Sequence, residues 1–346
     1  MNRPALLSLA LSTSLVLACY SGDGIPDVPS SSASGDQPQS AQVPEAEFSL
    51  SADNTHARWS RTIEPVLTVP SGAVVEVYTQ EATGGQLTLE STVEDVVNLD
   101  FDRIHALTGP IRVEGAQPGD VLAVTLHEIE IGDWGWAAIA PGFGFLADVF
   151  TEPWLKTFEL GPDATHADFG NGIRIPLDPF PGVLGVAPDT DEQLVTIPPR
   201  ANGGNMDNRH MKVGTTVYLP VAIEGANFSI GDTHAAQGDG EVSGTAIEAP
   251  MRIVLELEVL SDFRDIAEPE YETADFYAVT GFGTDIDQAT RKAVLAMIDY
   301  LEIEHGLARE EAYVLASLSA DLKISETVDM PHYLVSMHIP KEVLPR

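Results

Sequence analysis

The chain has 346 residues, 44% of them hydrophobic, enough to bury a sizeable core and too many for a disordered polymer. Its 18 Lys plus Arg stand against 53 Asp plus Glu, and the net charge of −35 excludes a general binder of DNA or RNA, whose phosphates it would repel. Docking on anionic lipid through the protein surface is disfavoured for the same reason, and the single cysteine, Cys19, excludes an intrachain disulfide, a zinc finger and a thioredoxin-like pair.

Residues 1–18 carry Arg3 and then an apolar run from Ala5 to Ala18, too short and too rich in Ser and Thr to span a membrane. They read as a signal peptide. The run ends in Val16-Leu17-Ala18-Cys19, which resembles a bacterial lipobox: small Ala18 fits a peptidase pocket and Cys19 becomes the lipidated N-terminus. An ordinary secretion signal cut nearby is the alternative. Residues 19–47, rich in Ser, Pro, Gly, Asp and Gln, read as a solvated tether. The expected location is the cell envelope, on an outer membrane held only through N-terminal lipid, with a secreted or periplasmic protein as the other choice.

Residues 48–342 read as one folded domain. Val66–Val69, Ala73–Thr79, Pro110–Gly115 and Val121–Ile131 are short β-rich runs separated by Pro/Gly turns, and Thr215–Ile223, Asn227–Ile230 and Met251–Leu260 continue the series. Two apolar, glycine-laced segments interrupt them, Trp134–Leu146 and Pro179–Pro188. Each is either the wall of a small dry pocket or a buried crossover. Helical spacing then covers Asp287–Glu304, stopped by Gly306, and again Ala308–Leu318; the tail from Asp321 to Ile339 returns to strands. The class is α+β, mainly β, with a sandwich or barrel-like core and a late helical layer.

Polar residues concentrate in two places, Gly203–His210 and Ser229–Glu241. Residues two apart in extended chain face the same side, so Asp232 with His234, and Asp239 with Glu241, present paired ligands or proton-transfer groups to one pocket. Carboxylates with imidazole suit a zinc-like ion, and a ring of oxygens suits calcium. The competing reading is a calcium-stabilised surface turn whose Asx side chains cap their own backbone. His56, Glu81 and His105 each stand beside an early strand and are weak signals alone.

Together these segments resemble the acetamidase/formamidase family, across roughly residues 50–340. The carriers are His105-x-Leu-Thr-Gly-Pro, Val113 to Leu122, Gly203-Gly204-Asn205-Met206-Asp207 and Gly231-Asp232-x-His234-Ala235-Ala236-Gln237-Gly238-Asp239-Gly240-Glu241. The resemblance implies a β-sandwich with an added α/β portion, a homo-oligomer, a divalent metal (zinc before calcium) and hydrolysis of short aliphatic amides to carboxylate and ammonia. On it, His56, Glu81, Asp232 and His234 are the expected metal ligands, and Glu241 is the expected general acid/base. Asp207 and His105 position substrate or an outer partner, while Gln237, Trp136 and Asp239 line the substrate site. Where the family usually has Asp before x-x-Gly-Gly-Gln, this chain has Glu81. Two rivals stand beside this reading: a non-catalytic calcium-stabilised sandwich that binds a small envelope ligand, and a hydrolase of another acyl-nitrogen substrate.

Overall fold

The computed structural model describes residues 43–161 and 163–345. The signal segment, Cys19 and the tether up to residue 42 lie outside them. Glu47, at the expected tether's end, already donates its N–H to the Val74 carbonyl at 3.1 Å, so the compact unit begins a few residues before the first strand.

Two sheets face each other. The larger has nine strands in the order Phe48–Leu50, Ala73–Tyr78, Met251–Leu260, Val121–Ile131, Thr216–Pro220, Glu270–Glu272, Phe276–Gly283, Tyr333–Pro340 and Asp321–Glu326. All neighbours are antiparallel except the first pair. The smaller runs Gly203–Asn205, Phe180–Gly185, Phe228–His234, Leu107–Val113 and Thr55–His56, with Leu67–Val69 parallel to Leu107–Val113. Side chains alternate as a half-buried strand requires. Val75, Val77, Leu122, Val124, Leu126, Leu255 and Leu257 meet Ile111, Leu184, Phe228 and Ile230 in the sandwich core.

The other face of the larger sheet would be wet if nothing covered it. Val121, Ala123, Val279, Val335, Met337 and Ile339 point there and are buried by two helices, Ile286–His305 and Arg309–Ser319. The long helix starts on the Asp285 side chain, which accepts the Gln288 N–H at 2.8 Å, and ends at Gly306 with φ +66°. Its inward stripe of Ala289, Ala293 and Met297 approaches Gly281 and Gly283 closely enough that a Cβ at either glycine would collide with helix atoms. Both helices lie within a residue or two of the sequence expectation. Among the described residues no helix is long and apolar enough to cross a membrane.

The two glycine-laced segments divide between the readings offered for them. Trp134–Ile139 is a strand paired antiparallel with Trp154–Glu159, carrying buried Trp136. Phe180–Gly185, whose Pro and Gly suggest turns, is a fully buried strand of the smaller sheet.

One buried histidine ties the sandwich to pH. His338 Nε2 lies 2.6 Å from the Tyr271 hydroxyl and its ring stacks on Phe276 at 4.5 Å. Burial first, then the charges of His210 and Lys323, pull its pKa down to about 3. Between that value and 6.5 the unfolded chain takes a proton that the folded chain refuses, so stability present above pH 6.5 is lost as pH falls. His338→Gln is expected to remove that loss, about 3 kcal/mol at pH 4. Thermal melts of both proteins from pH 7 to 4 read it as converging midpoints.

Candidate active site

The strand Phe228–His234 carries the centre. Thr233 turns toward the larger sheet, its hydroxyl donating to the Ala249 carbonyl at 2.6 Å, and Asp232 and His234 turn the other way. Asp232 Oδ2 and His234 Nε2 are 3.4 Å apart, the meeting that two-residue spacing predicts. Beneath them Gly182 of the neighbouring strand has no room for a side chain; a Cβ there would stand 2.6 Å from His234 Cε1 and collide with Asp207. Asp207, Asp232 and Glu241 hold φ of +41°, +49° and +43°. Three strained non-glycine residues at one place are the signature of a site held by its surroundings.

Gln237 decides the state of the imidazole. Its Nε2 donates to the Asp207 carbonyl at 2.7 Å, which leaves Oε1 facing His234 Nδ1 at 2.8 Å. An amide oxygen only accepts, so Nδ1 carries the hydrogen. Nε2 is thereby aimed at Asp232 Oδ2 and, 3.1 Å away, at Glu248 Oε2. Two carboxylates around an imidazole lone pair repel unless something positive lies between them. A proton is one answer: burial pulls the His234 pKa down, but Glu248 and Asp232 outweigh it and raise it well above 6.5. A divalent cation is the other.

Glu248 is held for this. Its Oε1 accepts the Ala246 N–H at 2.8 Å, and its backbone exchanges two hydrogen bonds with Trp136. Burial moves its pKa up to about 7. Asp232 is pushed up by burial but pulled further down by His105, whose Nε2 is 3.7 Å away, and by His234, so its net shift is downward.

Asp207 and Glu241 form a second group near His234. Neither Asp207 oxygen has a hydrogen-bond partner, although the residue is buried. Burial raises both carboxyls, and Asp207 adds to the rise at Glu241, which stands well above the ordinary range. Asp329, held by the Asn205 amide at 2.7 Å, is raised in the same way by burial, Asp207 and Glu326. These groups line a cavity of about 70 Å³ together with His105 and the apolar side chains of Leu99, Phe101, Trp136, Phe143 and Ile197. The cluster is buried, which removes the surface-turn reading.

Four expected site residues do other work. His56 is no ligand: Nδ1 is 2.7 Å from the Arg58 carbonyl and Nε2 2.8 Å from the Ser229 hydroxyl, so both nitrogens are taken and burial lowers its pKa to about 4. Glu81 is no ligand either. Its carboxylate accepts from the N–H groups of Thr83 and Gly85, the Thr83 hydroxyl and Trp136 Nε1, closing a turn and pinning the indole that walls the cavity. Gln237 latches His234 to the Asp207 carbonyl, and Asp239 pairs with His210 at 3.2 Å, half-exposed and away from the two ligand groups. Trp136 lines the cavity.

Sequence reasoning missed Glu248 and Asp329. The only local signal at Glu248 is a carboxylate between apolar neighbours in Ala246-Ile247-Glu248-Ala249, which strand alternation explains equally well.

The donors present fit a divalent ion. Asp232, His234 and Glu248 offer oxygen, nitrogen and oxygen within 4.8 Å of one another, and Glu248 Oε2 is buried without a hydrogen-bond donor.

The profile described as the Acetamidase/Formamidase family matches residues 44–194 and 190–346. The chain is 32% identical to the solved acetamidase of Bacillus halodurans, with TM-score 0.80, covering 85% of this chain and 98% of that one. The formamidase of Methylophilus methylotrophus is 26% identical over 83% of this chain and 89% of its own length. The gamma lactamase of Delftia acidovorans is 25% identical, with TM-score 0.61, over 85% of this chain and 90% of that one.

Two variants separate latch from ligand. Gln237→Leu frees the imidazole and is expected to weaken zinc binding about 10- to 100-fold, read by competition with a chromophoric chelator. Affinity in the native protein should rise with pH, because the ion must displace the proton that Glu248 and Asp232 hold on His234. Glu81→Gln should leave zinc stoichiometry unchanged while lowering the melting temperature, since it replaces an acceptor of four donors.

Proposed function

The chain belongs to the acetamidase/formamidase family, and from that premise we propose that this cavity hydrolyses a short linear aliphatic amide, of the formamide or acetamide kind, to carboxylate and ammonia. The observation that carries the reading is the latched His234, whose Nε2 faces two buried carboxylates beside the unpartnered oxygens of Asp207. Asp232, His234 Nε2 and Glu248 would hold the ion. One nitrogen and two oxygens suit zinc better than calcium, which takes six to eight oxygens. A divalent cation there supplies Lewis-acid charge and lowers the pKa of water in the cavity.

The remaining groups divide the proton work. Asp207, buried with free oxygens and a raised pKa, accepts the proton that the attacking water gives up. Glu241, pushed well above the ordinary carboxyl range by burial and by Asp207, donates a proton to the nitrogen as the C–N bond breaks. The water's oxygen ends in the carboxyl group, whose remaining proton passes to the departing ammonia, giving carboxylate and ammonium. A proton then passes from Asp207 back to Glu241, which restores the start. His105 positions Asp232, and the apolar lining limits competing water. The larger TM-score to an acetamidase than to a gamma lactamase favours linear over cyclic amides.

The lipobox-like Val16–Cys19 supports an envelope enzyme anchored by N-terminal lipid, and the family resemblance supports assembly of several copies. The test is ammonia release from formamide and acetamide before and after chelation. Glu241→Gln is expected to lower kcat by about 10²- to 10⁴-fold with KM nearly unchanged. Undiminished turnover in thoroughly metal-free protein, or in the variant, overturns the mechanism.

A further inference from the structure

Phe143 is shared by the catalytic cavity and neighbouring surface pockets. On one side it lines the catalytic cavity, where its ring stacks on Phe101 at 4.9 Å and 2° between planes. On the other it lines an apolar surface groove of about 400 Å³ with Phe145, Leu146, Phe150 and Val242. Those four are 57%, 48%, 53% and 64% exposed, an unusual concentration of large apolar side chains on a chain of net charge −35. The groove's floor is set backbone against backbone: Phe145 N–H donates to the Val242 carbonyl at 3.0 Å, and Gly144 lies so close to Ser243 that a Cβ would stand 2.7 Å from its carbonyl. Val242 directly follows Glu241, so the groove begins one residue from the proton donor proposed above.

We propose that this groove is the acyl-chain subsite of the same active site, with the Phe143 ring as the partition, and that it takes amides whose acyl group is an alkyl chain longer than acetyl. The proposal rests on the amidase reading and extends its substrates from formamide and acetamide to amides with longer alkyl chains. A chain of a few carbons fills the small cavity; a longer one displaces the Phe143 ring from Phe101 and lies along Leu146 and Phe150. The groove shares one wall with the catalytic cavity, the Phe143 ring, and that favours a substrate chain there over a second protein.

The experiment measures kcat/KM for unbranched primary amides from acetamide to decanamide. In the native chain each methylene that enters the groove should raise kcat/KM by about fourfold, the worth of one buried CH₂. Leu146→Asp and Phe150→Asp, both at exposed positions clear of the catalytic groups, should abolish that rise and leave acetamide turnover unchanged. Phe143→Ala should start the rise at a shorter chain. Calorimetric titration with octanoate, the product form of a long amide, gives a readout without turnover: native protein should bind it, and Leu146→Asp should not. A native profile that falls steadily beyond acetamide overturns the subsite. So does a profile untouched by the Asp variants while they break an oligomer into single chains. Failure to hydrolyse any amide, with octanoate still bound in a Leu146-dependent way, overturns the amidase reading and leaves the subsite standing.

Discussion

The structure depends on one constraint: several carboxylates are buried around a single latched imidazole. Asp207, Asp232, Glu241, Glu248 and Asp329 are all nearly inaccessible, and removing an ionised group from water costs several kcal/mol each even after relaxation. Left-handed backbone at Asp207, Asp232 and Glu241 adds about 1–3 kcal/mol apiece. Such a cluster persists only where the surrounding fold determines it. Here the two-sheet core does so, with Gly182 removing the one side chain that would otherwise push the histidine and Asp207 apart.

Gln237 divides this charge into two sets. By fixing the hydrogen on Nδ1 it turns the other ring nitrogen toward Asp232 and Glu248, a set of donors for a cation. Asp207 and Glu241 stand on the other side, beside His234. The two sets interleave along the chain between residues 207 and 248, and each needs the other: a cation balances part of the anionic charge that raises the carboxyl pKa values. The small cavity and its aromatic lining keep the local dielectric low, so these interactions stay strong.

Much of the scaffold was legible beforehand because it follows local rules. Alternation over Val121–Ile131 and Met251–Leu260, the Gly306 stop, and the Asp-x-His spacing all act within a few residues. Phe180–Gly185 was ambiguous because its Pro and Gly signal turns in isolation, whereas here the glycine admits the catalytic cluster and the strand lies between two partners. His56 and Glu81 misled for the opposite reason. Each is a good ligand type, but neighbours 173 and 55 residues away, Ser229 and Trp136, complete their hydrogen bonds.

The amino-acid sequence by itself determined the α+β class, the helical layer, the acidic surface and the residues Asp207, Asp232, His234 and Glu241 as a group. Only the tertiary structure decided which polar atoms remain unsatisfied. It brought Glu248 and Asp329 to the cluster, tied Gln237 to His234, and sent Asp239 to His210. The reason is that a side chain's availability for chemistry depends on whether protein donors already occupy it. Those donors arrive from strands far apart in the chain, which no local pattern encodes.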